Sequence, residues 1–238
     1  MSQVKLGDKN IPFIYQGNEL LYPNPVKDGL VLWYDFKGMK NSDASKNIAR
    51  DLSGNGNDGT LQNFAYTNKS GYNDGLKFDN VDDEIATEID LGITFTLSLT
   101  IEIDTDVETQ FLTLFSRQGH YLRKNGNALH CSVFTDKQVT LGNNSFFSNL
   151  KRDNKNKAVV TMMVNDVDNI LTLYGNAEKL SSVSTITSID KATLVKLGKW
   201  VSSNNLAGKI LSAKAYNRAL TDQEVQHNYK LEKERWGL

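Results

Sequence analysis

Glu102, Asp104 and Asp106 occupy every second position, and an extended strand would place all three carboxylates on one face. A pair of carboxylates on one face is what a glycosidase needs for its nucleophile and its acid/base. The three residues fall at the end of a predicted strand, where a polar face toward solvent is expected, and no tryptophan lies nearby in the sequence to stack a sugar. We therefore interpret them as a solvated strand end rather than as an active site.

A second acidic cluster contains Asp79, Asp82, Asp83 and Glu84. Calcium prefers carboxylate and carbonyl oxygens, so Asp82 and Asp83 are candidate calcium ligands. The cluster lacks the fixed spacing of a calcium loop, and aspartates are common in β-turns because their side chains bond to nearby backbone. We favour a purely conformational role for this turn.

The histidines and tryptophans give weaker signals. His120, His130 and His227 are too scattered to predict a zinc site or a catalytic triad. Trp33 lies in an apolar run typical of an inner strand, whereas Trp200 precedes the loop Val201–Asn205 and is the better candidate for a sugar-binding platform. Glycine patterns that bind phosphate are absent from the sequence.

Length and composition restrict the class of protein. The 238 residues, with 39% apolar and 23% charged side chains, suit a globular chain with a full core. The net charge of −1 favours neither nucleic acid nor an acidic membrane as a partner. Cys131 is the single cysteine, which excludes an internal disulfide framework. The start of the chain lacks the apolar core of a signal peptide and no run is long enough to span a membrane, so we expect synthesis in a cytoplasm.

The segments that position these residues are predicted to be mostly short strands. Leu30–Phe36 is an apolar run suited to an inner strand, and Thr96–Ile103 alternates between apolar and polar residues, as a half-buried antiparallel strand does. We predict no helix before Thr221, where Glu224 three residues later completes a capping box. Many short strands with polar turns and one late helix indicate a β-sandwich.

Several motifs, in order along the chain, resemble those of laminin-G-like, concanavalin A-like jelly-roll domains. They are the opening strand GLVLWYDF, the turn DLSGNGNDGTL, the segment LKFDNVDD, the hairpin ILTLYGNAEKL and the closing stretch GKILSAKAYNRALTDQEV. The resemblance implies an all-β fold, an antiparallel β-sandwich jelly roll with one short C-terminal helix, which we assign to residues 26–238.

The sequence departs from this family at four positions. Asn80 and Ala177 stand where the family usually has glycine; asparagine tolerates a positive φ, whereas alanine does not. Leu211 and Ser212 replace an Asp-Glu pair that is common in the closing strand. A polar or metal-binding role for that pair is therefore not expected here.

Residues 1–25 are predicted to form a separate segment, because they hold all three prolines of the chain. Ile11–Tyr15 and Glu19–Tyr22 are short apolar runs around Gln16-Gly17-Asn18, which predicts a hairpin. The hairpin is either an edge of the sandwich or an arm that docks on a partner, and the sequence leaves both open. The segment resembles short N-terminal pieces of tailed-bacteriophage virion proteins.

These resemblances imply a non-enzymatic virion protein of a tailed phage, in its tail, baseplate or fibre, assembled in the bacterial host cytoplasm. The expected partners are other virion proteins, further copies of the chain in a homo-oligomer or multi-copy assembly, and host cell-wall glycan. Neither nucleic acid nor a membrane is expected as a partner, and calcium is the only cofactor considered. The alternatives are a carbohydrate-binding module without a structural role and a cell-wall glycan hydrolase.

Overall fold

The computed structural model describes residues 5–6, 9–10, 14–16, 19–104, 111–117, 120–134, 138–153, 155–184, 192–200 and 205–238. Within them, four short strands come first: Lys5–Leu6 (β1), Lys9–Asn10 (β2), Ile14–Gln16 (β3) and Glu19–Tyr22 (β4). The next eight are Leu30–Asp35 (β5), Ile48–Ala49 (β6), Gly59–Gln62 (β7), Gly71–Tyr72 (β8), Leu76–Asp79 (β9), Glu84–Gly92 (β10), Phe95–Ile103 (β11) and Phe111–Arg117 (β12). The last eight are His120–Asn125 (β13), Ala128–Phe134 (β14), Gln138–Asn143 (β15), Lys157–Asn165 (β16), Ile170–Gly175 (β17), Glu178–Val183 (β18), Ala192–Leu197 (β19) and Ala207–Tyr216 (β20). The two helices are Phe146–Arg152 (α1) and Asp222–Trp236 (α2).

Sixteen of these strands form two antiparallel sheets that face each other. The front sheet has the strand order β15-β14-β13-β12-β19-β10-β7-β6. The back sheet has the order β18-β17-β16-β11-β20-β9-β8, and β5 also pairs with β20. One apolar cluster fills the space between the sheets, with Leu97, Leu122 and Leu173 fully buried in it. The predicted all-β antiparallel sandwich is confirmed.

The closing strand β20 organises the back sheet. One of its edges pairs with β11 along almost its whole length. Its other edge pairs first with β9, through Ala207–Ile210, and then with β5, through Ser212–Tyr216. Gly208 is required by close approach, because a Cβ there would lie 2.4 Å from the carbonyl oxygen of Glu102 on β11.

Strand β11 shows the alternation that the sequence predicts. Leu97, Leu99 and Ile101 are fully buried in the core between the sheets. Their neighbours Thr96 and Thr100 point to the other face, and they too are almost completely buried. The expectation of a polar face toward solvent is wrong for these two residues, because the turn at Arg218–Leu220 covers Thr96 and Glu232 of helix α2 covers Thr100.

Helix α2 begins with the predicted capping box. The Thr221 Oγ1 atom accepts a hydrogen bond from the Glu224 amide (3.2 Å), and the Thr221 amide donates to Glu224 Oε2 (2.8 Å). Arg218 adds a bidentate ion pair with Glu224 at 2.6 and 2.9 Å. These contacts fix the entry angle of the helix, whose buried side then lies across the back sheet.

The turn DLSGNGNDG is bonded to the free edge of β5. Asp51 is buried, and its carboxylate accepts hydrogen bonds from the amides of Trp33, Ser53 and Asn57 and from the Ser53 hydroxyl. The side chains of Asn55 and Asn57 donate to the carbonyls of Leu30 and Val31. The turn therefore satisfies backbone groups that an edge strand would otherwise expose, which explains the dense pattern of Asp, Ser and Asn.

Helix α1 corrects the prediction that no helix precedes Thr221. Its seven residues place Phe146, Phe147 and Leu150 against the core, and the Phe147 amide donates to the Asn127 carbonyl. The helix is only about two turns long and lacks a side-chain cap at Ser145. So short a segment carries too few apolar repeats to give a helical signal in the sequence. Neither described helix is long and apolar enough to cross a lipid bilayer.

The four N-terminal strands pair only with each other among the described residues. β1 pairs with β2, and β3 pairs with β4 in the predicted hairpin, with Gln16 opposite Glu19. The linker that follows is attached to the domain: the Val26 amide donates to Asn228 Oδ1 on α2, and the Tyr216 hydroxyl donates to the Val26 carbonyl. Pro23 and Pro25 are buried.

Ala177 adopts the conformation that the sequence argues against. It has φ +62°, next to Asn176 at φ +52°, in the two-residue turn between Gly175 and Glu178. A positive φ brings Cβ close to the backbone and costs about 1 kcal/mol for alanine. The hairpin therefore contains a strained residue.

We expect Ala177→Gly to raise the free energy of unfolding by about 1 kcal/mol, because glycine has no Cβ to clash at this φ. Urea denaturation measures the change. Ala86→Gly in strand β10 is the matched control and is expected to lower stability, since glycine weakens a strand with ordinary φ. A loss of stability at position 177 equal to that at position 86 contradicts the account.

Candidate functional site

The outer face of the front sheet is directed toward solvent. Leu122 and Cys131 point into the core, so the neighbouring residues of β13 and β14 point outward by the two-residue period of a strand. The register places Tyr121 opposite Ser132, and Arg123 opposite His130. Exposed residues occur across this face; they include Thr60, Gln62, Glu88 and Thr140.

Trp200, the predicted sugar platform, packs against this outer face beside Tyr121. The two ring centroids are 6.0 Å apart and the ring planes are nearly perpendicular, at 81°. The Arg123 guanidinium carbon lies 4.0 Å from the centroid of the Tyr121 ring. Tyr121 is consequently buried at 3% exposure, and its hydroxyl is 3.3 Å from Thr140 Oγ1. Trp200 and Arg123 remain partly exposed.

His130 lies next to this group. A Cβ at Gly142 would come within 2.4 Å of the His130 ring, so glycine leaves space for the imidazole on the neighbouring strand. Burial lowers the pKa of His130 and the Arg123 charge lowers it further, against a weaker opposing hydrogen bond with Asn144. Its Nδ1 atom has no hydrogen-bond partner among the described residues. A neutral imidazole here can both donate and accept.

We call Trp200, Tyr121, Arg123 and His130 the aromatic patch. An indole offers an apolar surface with a negative face, which suits the C–H groups of a sugar ring. Guanidinium and imidazole groups supply hydrogen bonds to hydroxyls or to a carboxylate. The sequence pattern points to Trp200 as a sugar-binding residue but not to the other three, because only the strand register brings them together. The alternation of inward and outward residues along β13 and β14 is the sequence signal that could have placed them on one face.

The acidic turn holds its carboxylates close together. The carboxylate oxygens of Asp79, Asp82 and Asp83 lie within 4.8 Å of one another. Two of them already accept internal hydrogen bonds: Asp79 from the Val81 amide (2.8 Å), and Asp83 from the Asp79 amide (2.9 Å) and the Ser70 hydroxyl (3.0 Å). These bonds support the conformational role. The proposal that Asp82 and Asp83 bind calcium remains a hypothesis.

The acidic residues of this turn differ in their surroundings: Asp83 is buried among carboxylates, whereas Glu84 is paired with a lysine. Burial raises the pKa of Asp83 to about 6, and the charges of Asp79 and Asp82 add to the effect. Glu84 does not join the cluster, because Lys196 Nζ contacts both of its carboxylate oxygens, at 2.9 and 3.1 Å.

Removing divalent ions with EDTA is expected to leave the melting temperature unchanged, because the carboxylates are held by internal hydrogen bonds. An ion that binds only the folded state stabilises that state by mass action, so removing it would lower the melting temperature. Differential scanning fluorimetry with and without EDTA measures the effect. A fall in melting temperature that calcium reverses and Asp82→Ala abolishes would establish a calcium site instead.

The carboxylates considered for hydrolysis are paired with lysines. Glu102 lies between Lys209 Nζ (3.1 Å) and Lys157 Nζ (3.8 Å), and Asp104 contacts Lys77 Nζ at 2.5 Å. Asp106 lies outside the described residues. The two described carboxylates are thus ion-paired rather than simply solvated.

The three histidines do not converge. The His120 ring lies edge-on to Phe95 in the interior, with centroids 6.5 Å apart. His130 belongs to the aromatic patch, and a ring nitrogen of His227 on α2 is 3.0 Å from the Asn24 carbonyl oxygen. The three imidazoles therefore lie in three separate places in the described structure.

Comparison with known proteins adds information on the fold. The sequence matches no protein-family model and no curated protein. Among solved structures, the ligand-binding domain of botulinum neurotoxin serotype D in complex with N-acetylneuraminic acid is 17% identical, with a TM-score of 0.65 over 86% of this chain and 51% of that chain. The binding domain of Paraclostridial Mosquitocidal Protein 1 is 20% identical, with a TM-score of 0.60 over 85% of this chain and 52% of that chain. The receptor-binding domain of the botulinum neurotoxin C/D mosaic serotype is 17% identical, with a TM-score of 0.62 over 86% of this chain and 52% of that chain.

These three neighbours are binding domains of toxins, and the chain spans about half the length of each. At such identities the likeness shows a common β-sandwich fold and no more. It agrees with the jelly-roll resemblance of the sequence. These three structures do not indicate a tailed-phage origin.

Proposed function

We propose that this protein is a non-catalytic glycan-binding module that uses the aromatic patch on its front sheet. The patch is the observation that carries the proposal: Trp200 is partly exposed beside the stacked pair of Tyr121 and Arg123. Helix α2 packs on the back sheet, whereas the outer face of the front sheet carries the exposed side chains of Thr60, Gln62, Glu88 and Thr140. The complex of one structural neighbour with N-acetylneuraminic acid supports a glycan as the ligand class.

A glycan array that includes sialylated glycans and bacterial cell-wall fragments tests this function with the full chain. We expect binding to at least one glycan and no release of reducing sugar from it. Absence of binding across the array contradicts a glycan-binding module. Release of reducing sugar would favour the alternative of a cell-wall hydrolase.

We further propose that the module belongs to the virion of a tailed phage, in the tail, baseplate or fibre, where it contacts neighbouring virion proteins. The support is the N-terminal segment, whose two strand pairs hydrogen-bond to neither large sheet among the described residues. A two-stranded hairpin alone is marginally stable in water, so such a segment needs a packing partner. The alternative is a carbohydrate-binding module without a structural role, and the assembly experiment in the Discussion separates the two.

We expect the double change Glu102→Gln and Asp104→Asn to leave glycan binding and infectivity unchanged, because these carboxylates pair with lysines and are not used for chemistry. Binding on the array and plaque counts from a phage carrying the variant measure the effect. Lys77→Met removes the lysine partner of Asp104 but keeps the carboxylate, so it is the matched control for loss of the ion pair alone. Loss of infectivity in a variant that folds normally would revive the hydrolase alternative.

A further inference from the structure

A cleft away from the aromatic patch forms where the residues after β5 pass beside the Asp51 turn. It has a volume of about 360 Å³ and is lined by Met39, Ile48, Leu52, Ser45, Arg50 and Asp58. A volume of this size lies at the lower end of the range for small-molecule sites, which is roughly 300–1,000 Å³. It can hold a ligand of one or two small rings.

Part of the cleft wall is apolar, and the surrounding fold holds this part in place. Ile48 is on strand β6, and its side chain is 39% exposed. Met39 and Leu52 are half-buried and pack against the cores of the domain. Leu52 belongs to the Asp51 turn, and its amide donates to the Trp33 carbonyl (2.7 Å). The apolar surface is therefore fixed before a ligand arrives.

The rim offers one donor and one acceptor of opposite charge. Asp58 uses Oδ1 to accept from the Asp51 amide at 2.7 Å, so its position is fixed while Oδ2 stays available. Arg50 is exposed and forms no ion pair with Asp58 or with another residue of the described part of the chain. At the back of the cleft, Asp35 is neutralised by Arg235, whose Nε atom lies 2.6 Å from Oδ2. The available charges therefore sum to zero.

We infer that this cleft is a second sugar site, which takes a single neutral pyranose unit. The C–H face of the ring would lie against Ile48, Met39 and Leu52. Its hydroxyls would donate to Asp58 and accept from Arg50, since a hydroxyl does both. Arg50 and Asp58 together leave the cleft without net charge, so it favours neither an anion nor a cation, and a neutral polyol can bond to both groups. The inference takes its ligand class from the proposed function but concerns a different site.

Backbone amide NMR of the full chain, titrated separately with glucose, galactose and N-acetylglucosamine to about 50 mM, tests the inference at the millimolar affinities usual for single sugars. We expect saturable shifts at residues 48–52 and 58 with at least one of the three. Arg50→Met keeps the apolar stem and removes the donors, and it should weaken that binding at least about tenfold. Arg152→Met, at an exposed arginine on α1, is the matched control and should change nothing.

The outcomes separate this inference from the proposed function. Trp200→Ala should leave the monosaccharide shifts at the cleft intact, although it weakens binding at the aromatic patch. Shifts confined to the patch, or no saturable shift at the cleft with any of the three sugars, overturn the second site and leave the first standing. Shifts at the cleft with acetate or methylammonium, and none with the sugars, overturn it as well.

Discussion

Replacing Glu232 by alanine is expected to lower the free energy of unfolding by about 3–5 kcal/mol, the usual cost of removing one partner from a buried ion pair. Glu232 on α2 and Lys214 on β20 are each 2% exposed and contact each other through Oε1 and Nζ. The second oxygen, Oε2, accepts from the hydroxyls of Thr100 and Ser212, both at 2.8 Å. Without the carboxylate, a buried ammonium and the buried Thr100 hydroxyl lose their acceptor, while Ser212 keeps Thr100 Oγ1 as an acceptor at 3.0 Å.

Urea denaturation measures this loss, with Glu234→Ala as the matched control. Glu234 is on the same helix and exposed, so its replacement should cost no more than about 1 kcal/mol. Replacing both partners, as Glu232→Leu with Lys214→Met, should recover most of the stability, because no charge is then left unpaired. A loss below 1 kcal/mol for Glu232→Ala would show that α2 is not held by this ion pair.

The same ion pair predicts a pH dependence. Burial alone would raise the pKa of Glu232, but Lys214 and the hydroxyls of Ser212 and Thr100 outweigh it, so the pKa lies below its ordinary value of 4.5. A carboxyl with a depressed folded-state pKa stabilises fully above its unfolded pKa and loses that contribution as the pH falls through the folded value. The stability difference between the wild-type chain and Glu232→Ala should therefore narrow only below pH 4.5.

If the proposed virion role holds, deleting residues 1–22 will abolish incorporation into phage particles while leaving a folded domain. The cut falls before Pro23 because the linker belongs to the domain: Val26 bonds to Asn228 and to Tyr216. A cut after residue 25, at the segment boundary that the sequence predicts, would disturb the two buried prolines as well. The melting temperature should stay within a few degrees of that of the full chain, since the hairpin strands pair with neither large sheet in the described residues.

Complementation of a phage lacking the gene, followed by detection of the protein in purified particles, measures assembly. A chain with Gln16→Ala and Glu19→Ala, which changes hairpin side chains but keeps its backbone pairing, is the matched control for the presence of the segment. If the truncated chain unfolds or aggregates, the segment is an edge hairpin of the sandwich and the docking arm is wrong. If the truncated chain enters particles normally, the segment plays no part in assembly.

Local signals account for the parts of the fold that the sequence predicts. The capping box of Thr221 and Glu224 is a contact within four residues, and the alternation of Thr96–Ile103 depends on strand geometry alone. The dense Asn and Asp pattern of the Asp51 turn also has a local origin. Each of these features appears in the structure where the sequence places it.

The parts that were missed depend on distant pairs. Lys214 and Glu232 read as ordinary surface charges in a strand and a helix, and only the packing of α2 on the back sheet buries them together. The buried Ser212 and Thr100 complete this group. Ser212 stands at a position where the jelly-roll family usually has a carboxylate, and its hydroxyl donates instead to the carboxylate of Glu232 on the helix. The aromatic patch likewise needs the register of β13 with β14, and the approach of Trp200, before its residues become neighbours.

The affinity of the full chain and of Trp200→Ala for a glycan that binds on the array is the most direct test of the proposed function. Isothermal titration calorimetry should show that Trp200→Ala binds at least about tenfold more weakly, because the indole surface that packs on the sugar is lost. Tyr229→Ala is the matched control, since Tyr229 is also partly buried but lies on α2 and should be needed for no glycan contact. A Trp200→Ala chain that folds normally and binds the glycan as tightly as the wild-type chain would contradict the account.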